Sequence, residues 1–253
     1  MLKVENLSKK FGIINAVDDI SFEIEKGEIF SLVGESGCGK TTTGRLILRL
    51  LEPDCGRILF EGIDILKKSQ SELKKMRKNF QIIFQDPYTS LNPRMRVGDI
   101  IEEPLKVFGI DAGAATLPHL LEMVGLPLNY VKRFPHELSG GERQRVGIAR
   151  AIILNPKFLI ADEVVSSLDV IIQAQILDVL KRIKSHLSLT ILFIAHDLAV
   201  VGSLADRVAV MNHGKIVEIG NKDIIFSNPS HSYTKKLLCA VPIPDPIKSK
   251  FRK

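Results

Sequence analysis

The chain has 253 residues, 45% hydrophobic and 25% charged, the balance of a globular chain large enough for a full α/β core. Its net charge of +6 comes without a basic stripe interleaved with aromatics, so no nucleic-acid partner is expected, and no apolar run of about 18 residues is present to span a membrane. The three scattered cysteines lack metal-ligand spacing and fit a reducing compartment, and the start Met1-Leu2-Lys3-Val4-Glu5 does not read as a secretion signal.

Leu2 to Leu7 alternates loosely and predicts a strand. A turn at Lys9-Lys10-Phe11-Gly12 leads to a second strand from Ala16 to Ile24, and Lys26-Gly27-Glu28 turns the chain again. The apolar run Ile29 to Val33 predicts a buried strand. Directly after it, Gly34-Glu35-Ser36-Gly37-Cys38-Gly39-Lys40-Thr41 fits G-x-x-x-x-G-K-[ST], and Leu46, Ile47, Leu50 and Leu51 give Thr42 to Leu51 helical spacing. Strand, glycine-rich loop and helix form the setting of a phosphate-binding loop. Its glycines let backbone N–H groups turn inward around a polyphosphate, and the helix N-terminus adds positive potential. Gly34, Ser36, Gly37, Cys38, Gly39 and Thr42 are the expected lining, Lys40 the ammonium that reaches the β and γ phosphates, and Thr41 the hydroxyl that binds Mg²⁺. Cys38, at a helix start beside a cation, is expected to be a solvent-open thiol of lowered pKa.

Beyond Pro53 to Gly56, Arg57 to Phe60 and Ile63 to Leu66 predict a hairpin about Glu61-Gly62, and Ser71 to Lys78 predicts a short basic helix. Phe80 to Phe84 predicts a strand that ends at Gln85. The turn-rich run Asp86 to Pro93 opens a block with helical patterns from Val97 to Gly125, interrupted by Pro104, Gly109 and Pro118. Without strand signals, it reads as an inserted helical subdomain over about 87–143. A helix carrying Val146, Ile148, Ala149, Ile152 and Ile153 follows. Lys157 to Ala161 predicts a buried strand with Asp162 and Glu163 at its end, Ile171 to Ile183 a helix, and Leu189 to Ala195 a buried strand ended by His196. Arg207 to Met211 and Lys215 to Ile219 predict a hairpin closed by Asn212-His213-Gly214.

Strands separated by helices imply a mainly parallel sheet covered on both faces, and ligands of such sheets lie at the carboxyl ends of the strands. Lys40, Gln85, Asp162, Glu163 and His196 all fall at or beyond such ends, so four chain segments are expected to meet in one site. A carboxylate at Asp162 is suited to Mg²⁺, and one at Glu163 to orienting or deprotonating an attacking water. Gln85 offers an amide acceptor and donor for the metal and the water, and His196 a hydrogen bond to the γ-phosphate.

At Leu138-Ser139-Gly140-Gly141-Glu142-Arg143-Gln144 the chain resembles the ATP-binding cassette ATPases, of which this run is the signature. The resemblance covers residues 1 to about 225, with the motifs in family order. It implies a P-loop NTPase, RecA-like α/β fold: a mainly parallel sheet core, an antiparallel β subdomain and the inserted helical subdomain. The ATPase domain then spans 1–225, and 226–253 is a C-terminal tail, complete or truncated. ATP and Mg²⁺ are the implied cofactors. Phe11 matches the aromatic that stacks on adenine, with Val17 on the same face, and Asp169 belongs to a loop that crosses a dimer interface. Ser139, Gly140 and Gly141 make a second anion site at a helix start, which in the family closes over the γ-phosphate held by a second subunit, head to tail.

Phe84 to Met95, Ser167 to Val170 with Gln173 to Leu177, and the tail His231 to Leu238 with Ala240 to Pro246 resemble the peptide-importer branch, for dipeptides and oligopeptides. That branch implies two transmembrane permease subunits facing Tyr88 to Met95, an external solute-binding protein, and a peripheral place on the cytoplasmic face of the membrane. Val164 and Ser232 stand where the family usually has proline, and the sequence lacks the cysteine-rich extension that holds an iron–sulfur cluster in many such importers. Import of nickel or another small solute, a soluble cassette ATPase and an ATP clamp without turnover stay open as alternatives.

Overall fold

A computed structural model describes residues 1–111, 113 and 116–240. Strands β1 (Leu2–Phe11), β2 (Ile14–Ile24) and β3 (Ile29–Val33) lead to helix α1 (Lys40–Ile47), then to β4 (Cys55–Phe60), β5 (Ile63–Asp64), α2 (Gln70–Met76) and β6 (Phe80–Ile83). The next stretch is helical among the described residues: α3 (Pro87–Ser90), α4 (Val97–Phe108), α5 (Thr116–Val124) and α6 (Gly140–Ile152). The chain ends as β7 (Phe158–Asp162), α7 (Val170–Leu187), β8 (Thr190–Ala195), α8 (Leu198–Leu204), β9 (Arg207–Asn212), β10 (Lys215–Asn221), α9 (Lys222–Ser227) and α10 (Ser232–Ala240).

Two sheets result. One is antiparallel, in the order β2-β1-β4-β5; the other runs β10-β9-β3-β8-β7-β6 and is parallel except for β10. Every residue of β3, β7 and β8 is buried, which explains their unbroken apolar character: helices or the second sheet cover both faces. One core lies between the sheets, where Phe22 stacks on Phe30 at 5.3 Å between centroids and Phe60 meets Phe158 edge-on at 6.4 Å. The other core lies under the helices, with Val97, Ile101, Val146, Ile148, Val179 and Leu180 packed against Leu159, Ile191 and Phe193. The carboxyl ends of β3, β6, β7 and β8 therefore share one edge.

Some local expectations change. Strand β1 continues through Phe11, so the turn falls on Gly12 and Ile13. Helix α1 stops at Ile47, because Arg49 adopts a left-handed conformation (φ 50) and the Arg45 carbonyl accepts the N–H groups of Leu50 and Leu51. Pro104 does not interrupt α4: burial of Val97, Ile100, Ile101 and Leu105 on one face outweighs the missing N–H. The C-terminal hairpin forms as expected, and β9 also pairs in parallel with β3 and so joins the main sheet. The part of the tail motif from Val241 to Pro246 lies outside the described residues.

Both departures from proline fit their settings. Val164 is 2% exposed and supplies apolar bulk to the core. Ser232 is the first residue of α10, where a missing N–H costs no helical bond, so proline and serine are interchangeable there.

Candidate functional site

The loop after β3 keeps its shape by backbone and glycine. Gly34 and Gly39 have φ of +156° and +110°, and a Cβ at either would collide with a carbonyl oxygen, that of Met211 or of Ala16. The N–H of Gly214, in the β9–β10 turn, donates to the Cys38 carbonyl at 3.0 Å. Sequence reading missed this support; its only local signal was the glycine that closes the hairpin. Lys40 is 4% exposed and donates from Nζ to the carbonyls of Gly34 and Glu35, both at 2.9 Å. Its ammonium thus lies within the loop curl, beside the surface that Ser36, Gly37 and Thr42 continue.

Cys38 departs from the expectation of an open, acidified thiol. It is 6% exposed and packs in the core between the sheets. Burial pushes its pKa up, against the opposing pull of Lys40, whose Nζ is 3.9 Å from Sγ. The cation is present as expected, but desolvation dominates.

The four segments do meet, and they meet on Glu163. Its Oε1 is 3.8 Å from Lys40 Nζ; its Oε2 accepts from Gln85 Nε2 at 3.1 Å and is 3.4 Å from His196 Nδ1. The residue turns toward this cluster because its backbone leaves β7 in the left-handed region, φ 46, a conformation that costs a non-glycine residue about 1–3 kcal/mol. Surrounding bonds impose it: Glu163 N–H donates to the Ile194 carbonyl at 2.9 Å, and its own carbonyl accepts from the N–H and hydroxyl of Ser166. Nothing in the sequence signals this turn. The side chain is only 13% exposed, while that of His196 is 50% exposed and open to solvent.

Asp162 faces the loop instead. Its Oδ1 accepts the Thr41 hydroxyl at 3.0 Å, and burial pushes its carboxyl above the usual range despite that bond. A hydroxyl and a carboxylate side by side, with the Gln85 amide at the next strand end, are hard oxygen donors of the kind Mg²⁺ takes together with substrate phosphates. Among the described residues no group of three or more His, Cys, Asp or Glu encloses a metal by itself.

The run expected to form a second anion site lies at the start of α6. Ser139 caps the helix: its hydroxyl accepts the Glu142 N–H, while Glu142 Oε2 takes the Ser139 N–H at 2.8 Å and the hydroxyl proton at 2.9 Å. Gly141 has no room for a side chain, since a Cβ would lie 2.5 Å from Cγ2 of Ile172. Asp169 caps α7 by accepting the Ile172 N–H at 3.0 Å, so the Gly141 and Asp169 segments pack through one isoleucine. A contact not foreseen joins two motifs: the Arg143 guanidinium lies 3.9 Å from the centre of the exposed Tyr88 ring, linking the segment after β6 to the signature helix. Phe11, at the tip of β1, is 47% exposed beside Lys9, whereas Val17 is 1% exposed in the inter-sheet core. The ring is presented to solvent and Val17 underlies the strand.

The ABC transporter family profile matches residues 17–166, and that of the oligopeptide/dipeptide transporter C-terminal region matches residues 217–253. The oligopeptide transport ATP-binding protein OppF of Bacillus subtilis (strain 168) is 49% identical over 97% of this chain and 84% of its own length. The protein of the same name from Streptococcus mutans is 49% identical over 100% of this chain and 85% of its own length. Among solved structures, an ATP-binding cassette dimer in a post-hydrolysis state bound to ADP and Pi superposes with a TM-score of 0.78 at 28% identity, over 88% of this chain and 99% of that one.

Proposed function

The chain belongs to the ABC transporter family, and from that premise we propose that it is the ATP-hydrolysing subunit of an importer of dipeptides and oligopeptides. The cargo rests on the relatives' names and on the match of residues 217–253 to the oligopeptide/dipeptide transporter region. Catalysis rests on one observation: Glu163 is held at the strand ends among Lys40, Gln85 and His196, next to the phosphate loop.

In this reading the loop residues Gly34, Ser36, Gly37, Cys38, Gly39 and Thr42 cradle the ATP phosphates, and Lys40 neutralises the β and γ groups. Thr41, Asp162 and Gln85 hold Mg²⁺, which when bound offsets phosphate charge. Glu163 takes the proton of the attacking water, Gln85 orients that water, and His196 donates to the γ-phosphate. Phe11 stacks on adenine above Val17. Ser139, Gly140 and Gly141, with Asp169, close on the nucleotide of a second cassette, in a head-to-tail homo- or heterodimer. Tyr88 to Met95 face two transmembrane permease subunits, fed by an external solute-binding protein, and the chain works at the cytoplasmic face of the membrane. The catalytic unit is residues 1–225, with the helical insertion at about 87–143 and a tail at 226–253. No helix among the described residues is long and apolar enough to cross a membrane.

A host strain lacking the gene should lose uptake of labelled tripeptide, recover it with the wild-type gene, and not recover it with Lys40→Ala. Intact peptide uptake with lost nickel uptake would reassign the cargo. No phosphate release by the chain together with its co-purified membrane partners would sink the ATPase reading.

A further inference from the structure

The tail motif His231-Ser232-Tyr233-Thr234 has no role in the chemistry above, yet α10 reaches the phosphate loop. The Tyr233 hydroxyl accepts the backbone N–H of Glu35 at 3.2 Å, across 198 residues of sequence. Among the described residues, no other side chain holds a backbone N–H of the Gly34 to Gly39 segment. The rest of the loop's bonding is local or comes from the β9–β10 turn: Cys38 N–H to the Glu35 carbonyl, Lys40 to the Gly34 and Glu35 carbonyls, Gly214 N–H to the Cys38 carbonyl. Glu35 lies on the outer limb, between two glycines of positive φ, Gly34 and Gly37, where a chain without an anchor has most freedom.

The anchor is itself held from both ends. The Tyr233 ring, Leu237 and Leu238 pack against the helical-side core. At the start of α10, the carboxylate of Glu218 on β10 accepts the Ser230 N–H at 2.7 Å, the Ser230 hydroxyl at 2.8 Å and the His231 N–H at 3.1 Å, and His231 Nδ1 accepts the Tyr233 N–H at 3.1 Å. Burial pushes the Tyr233 phenol up, which keeps it neutral. A rigidly mounted phenol thus fixes the one limb of the loop that the hairpin does not.

We propose that Tyr233 is a positioning residue for the phosphate loop: through Glu35, helix α10 pre-shapes the empty loop to receive a polyphosphate. The proposal rests on the reading of this loop as the ATP phosphate site. Bound phosphates would order the loop by themselves, so the anchor acts on the cost of ordering it, and its loss falls on binding rather than on turnover.

Tyr233→Phe keeps the ring packing and removes the acceptor. It should raise KM for ATP about 3–10-fold, the range of a single hydrogen bond, with kcat within about twofold. Calorimetric affinity for inorganic tripolyphosphate should fall by the same factor, and amide hydrogen exchange at Glu35 in the nucleotide-free protein should quicken. Glu218→Gln, which loosens the mount, should shift all three readings the same way by less. Unchanged exchange at Glu35 would overturn the proposal. So would a lowered kcat at constant KM, or weaker ATP binding with tripolyphosphate binding intact. Tripolyphosphate binding needs no turnover: weakened binding in Tyr233→Phe of a chain that hydrolyses no ATP would support the anchor and refute the ATPase reading.

Discussion

In the proposed function the loop after β3 with its strand-end cluster and the turn at Ser139 both face anions, but they are built in opposite ways. At the first, groups from four segments hold one another: Lys40, Gln85 and His196 face Glu163, and Thr41 bonds Asp162. At the second, Ser139 finds its side-chain partner within its own first turn, Glu142, and the flanking Gly140 is half-buried beside Leu168. A surface that brings its own counter-groups can carry out chemistry. A surface that offers only a cap and bare backbone N–H groups can complete a site formed elsewhere.

The sharpest way to break this contrast is Glu163→Gln. It should leave ATP binding intact and slow phosphate release by about 10²–10⁴-fold, the usual worth of a general base. Turnover within about threefold of wild type would move the water-activating role to another residue. Ser139→Arg should reduce hydrolysis by about 10²–10³-fold, as when one preorganised oxyanion donor is removed, while monomer affinity for ATP stays the same. Weakened monomer affinity would mean that the turn serves its own nucleotide and that the two surfaces are one site. Phe11→Ala tests the rim of the first surface. Stacking of about 1–3 kcal/mol corresponds to roughly 5–150-fold weaker ATP binding, with tripolyphosphate binding unchanged. Equal losses for both ligands would indicate damage to β1. The smallest effect concerns Cys38. Its burial and raised pKa should make it react with maleimide a few-fold or more slowly than the exposed Cys55 and Cys239, which peptide mapping after brief labelling would read. Fastest labelling at Cys38 would restore the open thiol that the motif suggested.

What the sequence disclosed was whatever physics makes local. The loop, the acids at the end of β7 and His196 after β8 each sit in a strand-then-polar pattern, and a parallel sheet then forces them onto one edge. The run Leu138 to Gln144 was legible through its family resemblance, and the structure adds its physical ground: Ser139 and Glu142, three residues apart, cap α6. The unread features are long-range or conformational. That β9 pairs with β3, that Tyr233 holds Glu35, and that Arg143 lies over Tyr88 are contacts between segments with no shared period. The left-handed turn at Glu163 carries no glycine to announce it, because bonds from Ile194 and Ser166 impose it. Cys38 shows a correct local rule overridden: the helix start and Lys40 favour a thiolate, and the second sheet, invisible to a motif, buries it.

The order of the main sheet also sets a timetable for the ribosome. Strand β3, wholly buried in the finished protein, lies between β8 and β9, synthesised about 160 and 180 residues after it. At about 5–20 residues per second, the phosphate loop emerges roughly 10–30 s before either flank of its own strand exists. During that interval Ile29 to Val33 is an unpaired apolar strand, and β6 and β7 can join nothing but each other. The nascent chain is thus most in need of a chaperone while it holds its most recognisable motif, and a ribosome stalled before Thr190 would leave a loop with the right letters and no floor beneath it.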